Sequence, residues 1–183
     1  MFLPNGLIVN RLIIIFFFFL FVGIQLHAQK YIGNTGEISF FSEAPMEDIA
    51  AINKKVSAVF DASSNDLVFQ LRISDFIFPK ALMQEHFNEN YLESDIYPTS
   101  TFVGKVLESK AGEVSVQGDL TIHGRTNRIK VHGFLLLNKE LVNIESNFMI
   151  KLEDYDIAIP KIVMYKIADE IDIKVNIKLE KVQ

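Results

Sequence analysis

Few side chains in this chain are typed and spaced for bond-making chemistry. His86, His123 and His132 follow an apolar leader. His123 and His132 flank one turn and could approach each other across it. A zinc centre would need them to converge with a carboxylate, yet no HxH or HExxH spacing is present. Histidines that are exposed or steady a turn are the default reading. Cysteine is absent, so a thiolate nucleophile is excluded. Ser94, Ser100 and Ser109 lack a GxSxG setting. Asp154 and Asp156, two apart on an irregular stretch, suit a turn better than a shared proton. Glycine-rich phosphate loops are missing too. No catalytic residue, metal ligand or cofactor is therefore nominated, and an enzyme is not expected.

The remaining candidate chemistry is apolar. Phe40, Phe60, Phe69, Phe102, Leu120, Ile122, Phe148 and Ile173 fall on the apolar parity of strand-like segments. Phe76, Phe78, Met83 and Phe87 recur at near-helical spacing between strands. The first eight would line an interior and the other four would form its lid or mouth. An interior of this kind would gain about 25 cal/mol per Å² of apolar surface removed from water, whatever it encloses. The same residues could equally fill a solid core.

Positioning them is the task of a β-rich chain centred on Gly112 to Leu137. Val114, Val116, Leu120 and Ile122 share one parity, and Ile129, Val131, Leu135 and Leu137 resume it after the turn Gly124-Arg125-Thr126-Asn127. This is the period of half-buried antiparallel strands joined as a hairpin. Gly118 and Gly133 lie inside the arms, where bends or bulges would let the sheet curl toward a barrel. Strands are also expected over Tyr31–Pro45, Val56–Asp61, Asp66–Ser74, Thr99–Leu107, Leu141–Leu152 and Glu170–Val182. Met46 to Lys55, with early acids, central alanines and late lysines, predicts a short helix. Phe76 to Tyr97 predicts a helix or two short turns with one apolar side. Asp154 to Tyr165 reads as irregular. The expected fold is all-β: a single antiparallel eight-stranded lipocalin-like barrel with one or two short helices.

Residues 1–28 have the layout of a signal peptide: one cation at Arg11, the apolar run Leu12–Ile24, and Leu26-His27-Ala28 as cleavage site. That run is short of the ~20 residues of a membrane span, so no stable span is expected after cleavage. The domain would then occupy residues 29–183. Export without cysteine points to a secreted or periplasmic protein of a bacterial envelope. Seventeen basic against 23 acidic side chains leave the mature part at a net charge of −6, which disfavours nucleic acid as a partner. A homodimer would follow if an edge strand stayed open.

Four stretches carry a family resemblance: His86-Phe87, then Tyr97-Pro98-Thr99-Ser100-Thr101-Phe102, then Gly118-Asp119-Leu120-Thr121-Ile122-His123-Gly124-Arg125-Thr126, and the closing Ile167-Ala168-Asp169-Glu170-Ile171-Asp172-Ile173. The chain resembles the YceI-like family of lipid- and polyisoprenoid-binding barrels. Before His86 that family often carries an Arg-Asp pair, whereas this chain has Met83-Gln84-Glu85. The resemblance implies that a long-chain isoprenoid or other amphiphilic lipid is held inside the barrel. The alternative is a packed barrel without ligand that serves as a structural or protein-interaction module of the envelope.

Overall fold

The computed structural model describes residues 29–43, 48–159 and 168–182. The expected signal peptide, the start of the expected first helix and much of the irregular stretch after Asp154 lie outside them. The described residues form eight strands: β1 (Lys30–Ser42), β2 (Ile49–Asp61), β3 (Asp66–Arg72), β4 (Thr99–Lys110), β5 (Glu113–Ile122), β6 (Arg125–Leu137), β7 (Leu141–Lys151) and β8 (Glu170–Lys181). Each pairs antiparallel with the next, and β1 also pairs with β8, closing the barrel. Closure leaves no strand as an edge along its whole length. That limits the open-edge route to a homodimer to short stretches.

The helix expected over Met46–Lys55 is not formed; Ile49 onward is strand. Ile49, Ile52, Val56 and Phe60 are spaced three and four apart, which imitates a helical stripe. The cause is an irregularity in β2. Gly36 opposes Val56 but Ile38 opposes Asn53, so Lys54 and Lys55 are both pushed to the surface. The inward parity therefore switches from Ile49, Ala51 and Asn53 to Val56, Ala58 and Phe60. A bulge of this kind hides the two-residue period.

The central hairpin is formed as expected, with a tighter reversal. Arg125 already belongs to β6, and the turn is His123-Gly124, at φ +50° and +72°. Two successive left-handed residues make the type I′ geometry that matches strand twist. Gly118 and Gly133 carry no bulge; the irregular registers fall between β1 and β2, between β1 and β8, and at Val106–Glu108 of β4. Gly118 instead makes room: a Cβ there would sit 2.5 Å from the Phe102 ring. That ring lies over Gly104 and Gly118, so an aromatic covers two bare backbone positions.

The barrel has two unlike ends. At the turn end, three short connections reverse the chain between β2–β3, β4–β5 and β6–β7. Tyr31, Phe60, Val142 and Leu179 pack there almost without exposure. The lid end carries the long excursion between β3 and β4. It runs through a 3-10 turn (Ile73–Asp75), helix α1 (Ala81–His86) and a π-helical turn (Phe87–Tyr91). This matches the one or two short helices expected from Phe76–Tyr97. A second 3-10 turn, Glu153–Tyr155, covers the other side of the same end.

Candidate functional site: an apolar cavity inside the barrel

Inward side chains of all eight strands surround a cavity of about 200 Å³ toward the lid end. One water needs roughly 10–15 Å³ by this measure, so the space holds on the order of a dozen water-sized positions. The wall is hydrocarbon almost throughout. Its polar contributors are mainly small groups such as Ser42, Ser100 and Ser146, all three tied to backbone, Ser42 Oγ accepting from the Ala168 amide at 2.9 Å. Ser100 Oγ donates to the Thr121 carbonyl at 2.8 Å, and Ser146 Oγ to the His132 carbonyl at 2.7 Å. Glu145 and His132 touch the wall, but both sit at outward, exposed positions. A second depression of about 520 Å³ on the outer wall, between Phe41, Ile77, Pro79, Asp172 and Lys174, is mixed in polarity. It offers a hydrocarbon chain little shelter.

Of the residues nominated from the sequence, all but Phe60 line the cavity: Phe40, Phe69, Phe76, Phe78, Met83, Phe87, Phe102, Leu120, Ile122, Phe148 and Ile173. Phe60 sits in the solid turn end, its ring 6.4 Å from that of Tyr31. Phe40 of β1 stacks on Phe87 with centroids 5.5 Å apart, and Phe78 meets Phe87 at 4.9 Å. Phe76 lies 5.5 Å from both Phe40 and Phe87. Four rings thus form one cluster that roofs the cavity. Such pairs add about 0.5–1.5 kcal/mol each beyond area burial, which holds the excursion onto the barrel. Deeper in, Phe69 and Phe102 pair across β3 and β4 at 6.0 Å.

Several lining residues were not nominated. Ile129 and Val131 share the parity of Leu135, and Ile144 and Ile150 that of the nominated Phe148, so strict alternation finds them. Tyr91 and Ile157 come from the lid end's connections, where no period points inward. Burial raises the Tyr91 hydroxyl above the ordinary tyrosine range.

The histidines do other work. His123 Nε2 meets Glu93 at 2.9 Å and Nδ1 meets the Tyr155 carbonyl at 3.2 Å, with the Tyr97 ring edge-on at 4.5 Å. One imidazole therefore ties the β5–β6 turn to both covering segments of the lid end. Arg125–Asp156 and Asn127 to the Asp154 carbonyl reinforce the same seam. This is the turn-steadying role, and it makes Asp154 and Asp156 part of a structural tie. His86 and His132 are exposed. Among the described residues no group of three or more His, Cys, Asp or Glu could hold a metal.

A closed antiparallel barrel of eight strands, roofed by a short helical excursion and hollow with hydrocarbon walls, defines a lipocalin-like binding barrel. The model of the YceI-like domain matches residues 22–179, and the chain belongs to that family. Solved structures share the fold. The polyisoprenoid binding domain from Saccharophagus degradans, implicated in plant cell wall breakdown, superposes with a TM-score of 0.72 at 12% identity, covering 85% of this chain and 99% of that one. BcnA from Burkholderia cenocepacia gives 0.69 at 19%, covering 78% and 95%. The YceI protein of Campylobacter jejuni gives 0.61 at 20%, covering 72% and 84%. No curated protein matches the sequence.

Proposed function

We propose that this protein is an envelope protein, secreted or periplasmic, that holds a long-chain isoprenoid or similar amphiphile inside its barrel. One observation carries the reading: an apolar cavity, without an inward charge among its described lining, in a barrel whose other end is packed solid. A solid core would have continued the Tyr31–Phe60 packing through the lid end. Each buried CH₂ of a tail contributes about 0.8 kcal/mol, so chain length, rather than hydrogen bonding, sets affinity. The description of the Saccharophagus relative as a polyisoprenoid binding domain agrees in ligand class. Export follows from the leader at residues 1–28, with cleavage after Ala28. Among the described residues no helix is long and apolar enough to cross a membrane.

The test is native mass spectrometry and solvent extraction of protein purified from its own host. A co-purifying lipid, and a thermal midpoint that rises when isoprenoids are added back, are the expected results. Protein that emerges empty and gains no stability from any isoprenoid or fatty acid would overturn the reading in favour of a packed structural barrel. Intact mass of the exported form, starting at Gln29, checks the cleavage site.

A further inference from the structure

Two neighbouring strands of the barrel part before they reach the lid end. β6 and β7 are paired from Leu137↔Val142 to Gly133↔Ser146 and no further. Beyond that point Arg125–His132 of β6 pairs only with β5, and Asn147–Lys151 of β7 only with β8. The Ser146 hydroxyl bonds the His132 carbonyl at the fork itself. At the top, Asn127 and Arg125 reach the segment around Asp154 and Asp156. Between foot and top lies a slot, and Gly133, Ser146, Ile129, Val131, Phe148 and Ile150 beside it all line the cavity. Where the strands are paired, the inward Leu135, Val142 and Ile144 are buried; along the slot the inward side chains are only partly so.

The outer rim of this slot is basic on a chain that is acidic overall. β6 presents Arg128, Lys130 and His132, and β7 presents Asn147, Met149 and Lys151. Arg128 is paired with Asp119 at 3.2 Å and Lys151 with Glu170 at 3.9 Å. Lys130 and His132 have no ion pair among the described residues; Glu145 lies at the foot of the slot opposite Phe134, and Asp119 on β5 is paired with Arg128. Lys130 is flanked on β5 by the neutral Gln117.

We propose that the β6–β7 slot is a side opening of the cavity, where Lys130 and His132 seat the anionic head of the single-chain amphiphile whose tail lies inside. The inference rests on the lipid-holding reading and adds a head-group class, a phosphate monoester or carboxylate, and a place for it. A lysine ammonium and an imidazole are donors suited to such an oxyanion. A tail threaded between the parted strands keeps its hydrocarbon in the cavity and leaves the head in water, so no charge is desolvated.

The test compares two probes with one tail, geranylgeranyl phosphate and geranylgeraniol, binding to the full mature chain. The phosphate should bind about five- to tenfold more tightly, the scale of one charge-assisted contact. In Lys130→Glu/His132→Glu that ratio should fall to near one. Lys54→Glu, an exposed charge reversal on β2 across the barrel, should keep it. Inorganic phosphate alone should show no binding that depends on Lys130. The proposal fails if the double variant keeps the preference, if Lys54→Glu removes it equally, or if inorganic phosphate binds at Lys130 without a tail. Alcohol binding as tightly as phosphate to the unaltered protein would sink this inference and leave the lipid-holding reading intact. Binding of neither probe would sink both.

Discussion

The barrel forks twice, on opposite sides, and closes the two forks differently. β2 and β3 part beyond Ser57↔Gln70, and the chain itself fills that gap. The fully buried Asn53 donates to the Arg72 carbonyl at 2.8 Å and accepts from the Lys55 amide at 2.9 Å, while Ile52 and Ile77 exchange backbone bonds. β6 and β7 part beyond Gly133↔Ser146 with only a serine at the foot and a 3-10 turn across the top. The first fork is spent on anchoring the excursion that carries Phe76, Phe78 and Phe87. Among the described residues, the second leaves its backbone groups without a facing strand along several positions. A buried unpaired amide costs energy comparable to a lost hydrogen bond, so a fork left open is tolerable where water or a ligand's head can reach it. One fork is structural, and the other is where we place the lipid's head.

The sharpest way to break this contrast is to charge the wall between the forks. Phe102→Asp removes a ring that covers Gly104 and Gly118 and buries a carboxylate, and should unfold the barrel or cost several kcal/mol. Urea unfolding reads it, and near-native stability would show that the cavity is wet. Next come truncations at the two ends of the barrel. Leu179→Ala in the solid turn end should cost about 2–5 kcal/mol without altering lipid affinity in the folded fraction. Phe87→Ala in the roof should cost less, because its ring already borders empty space, yet weaken lipid binding about tenfold. Equal behaviour of the two would erase the distinction between solid and hollow ends.

A smaller effect tests the tie at the top of the second fork. Burial first, and then the neighbouring Asp154 charge, push the Tyr155 hydroxyl up to about 12 from 10.0, against a lowering pull from Asn127. The folded state therefore holds this proton more tightly than the unfolded chain. Its contribution is fully present below pH 10 and is lost as pH rises toward about 12. Tyr155→Phe should flatten that part of the stability profile relative to the parent protein; an unchanged slope would mean the turn is loose. Smallest of all, Lys105→Asp on the outer face loses an exposed pair with Asp66 at 3.0 Å and should shift stability by no more than about 1 kcal/mol. A large effect there would mean that inward and outward faces are assigned wrongly.

Legibility followed the period of the chain. Phe69, Phe102, Leu120, Ile122, Phe148 and Ile173 could be nominated because alternation in an unbroken strand assigns each residue a face. Phe60 shows the limit: parity places it inward correctly, but inward at the turn end means packed against Tyr31. β2 was misread over Lys54-Lys55 because one irregularity turned a period of two into spacings of three and four. The His123 tie to Glu93 and Tyr155 joins residues some thirty positions apart, and no local pattern announces it.

By itself the sequence determined that this is an alternating, cysteine-free, all-β chain with an apolar excursion between its strands. Those properties depend on neighbours two to four residues away, which the chain carries openly. Only the tertiary structure decided where the barrel is hollow, which ring lies on which, and which two strands come apart. Those outcomes depend on how eight strands share one closed circumference. A one-residue slip of register, which no single strand records, would turn that strand's inward side chains to the outer face.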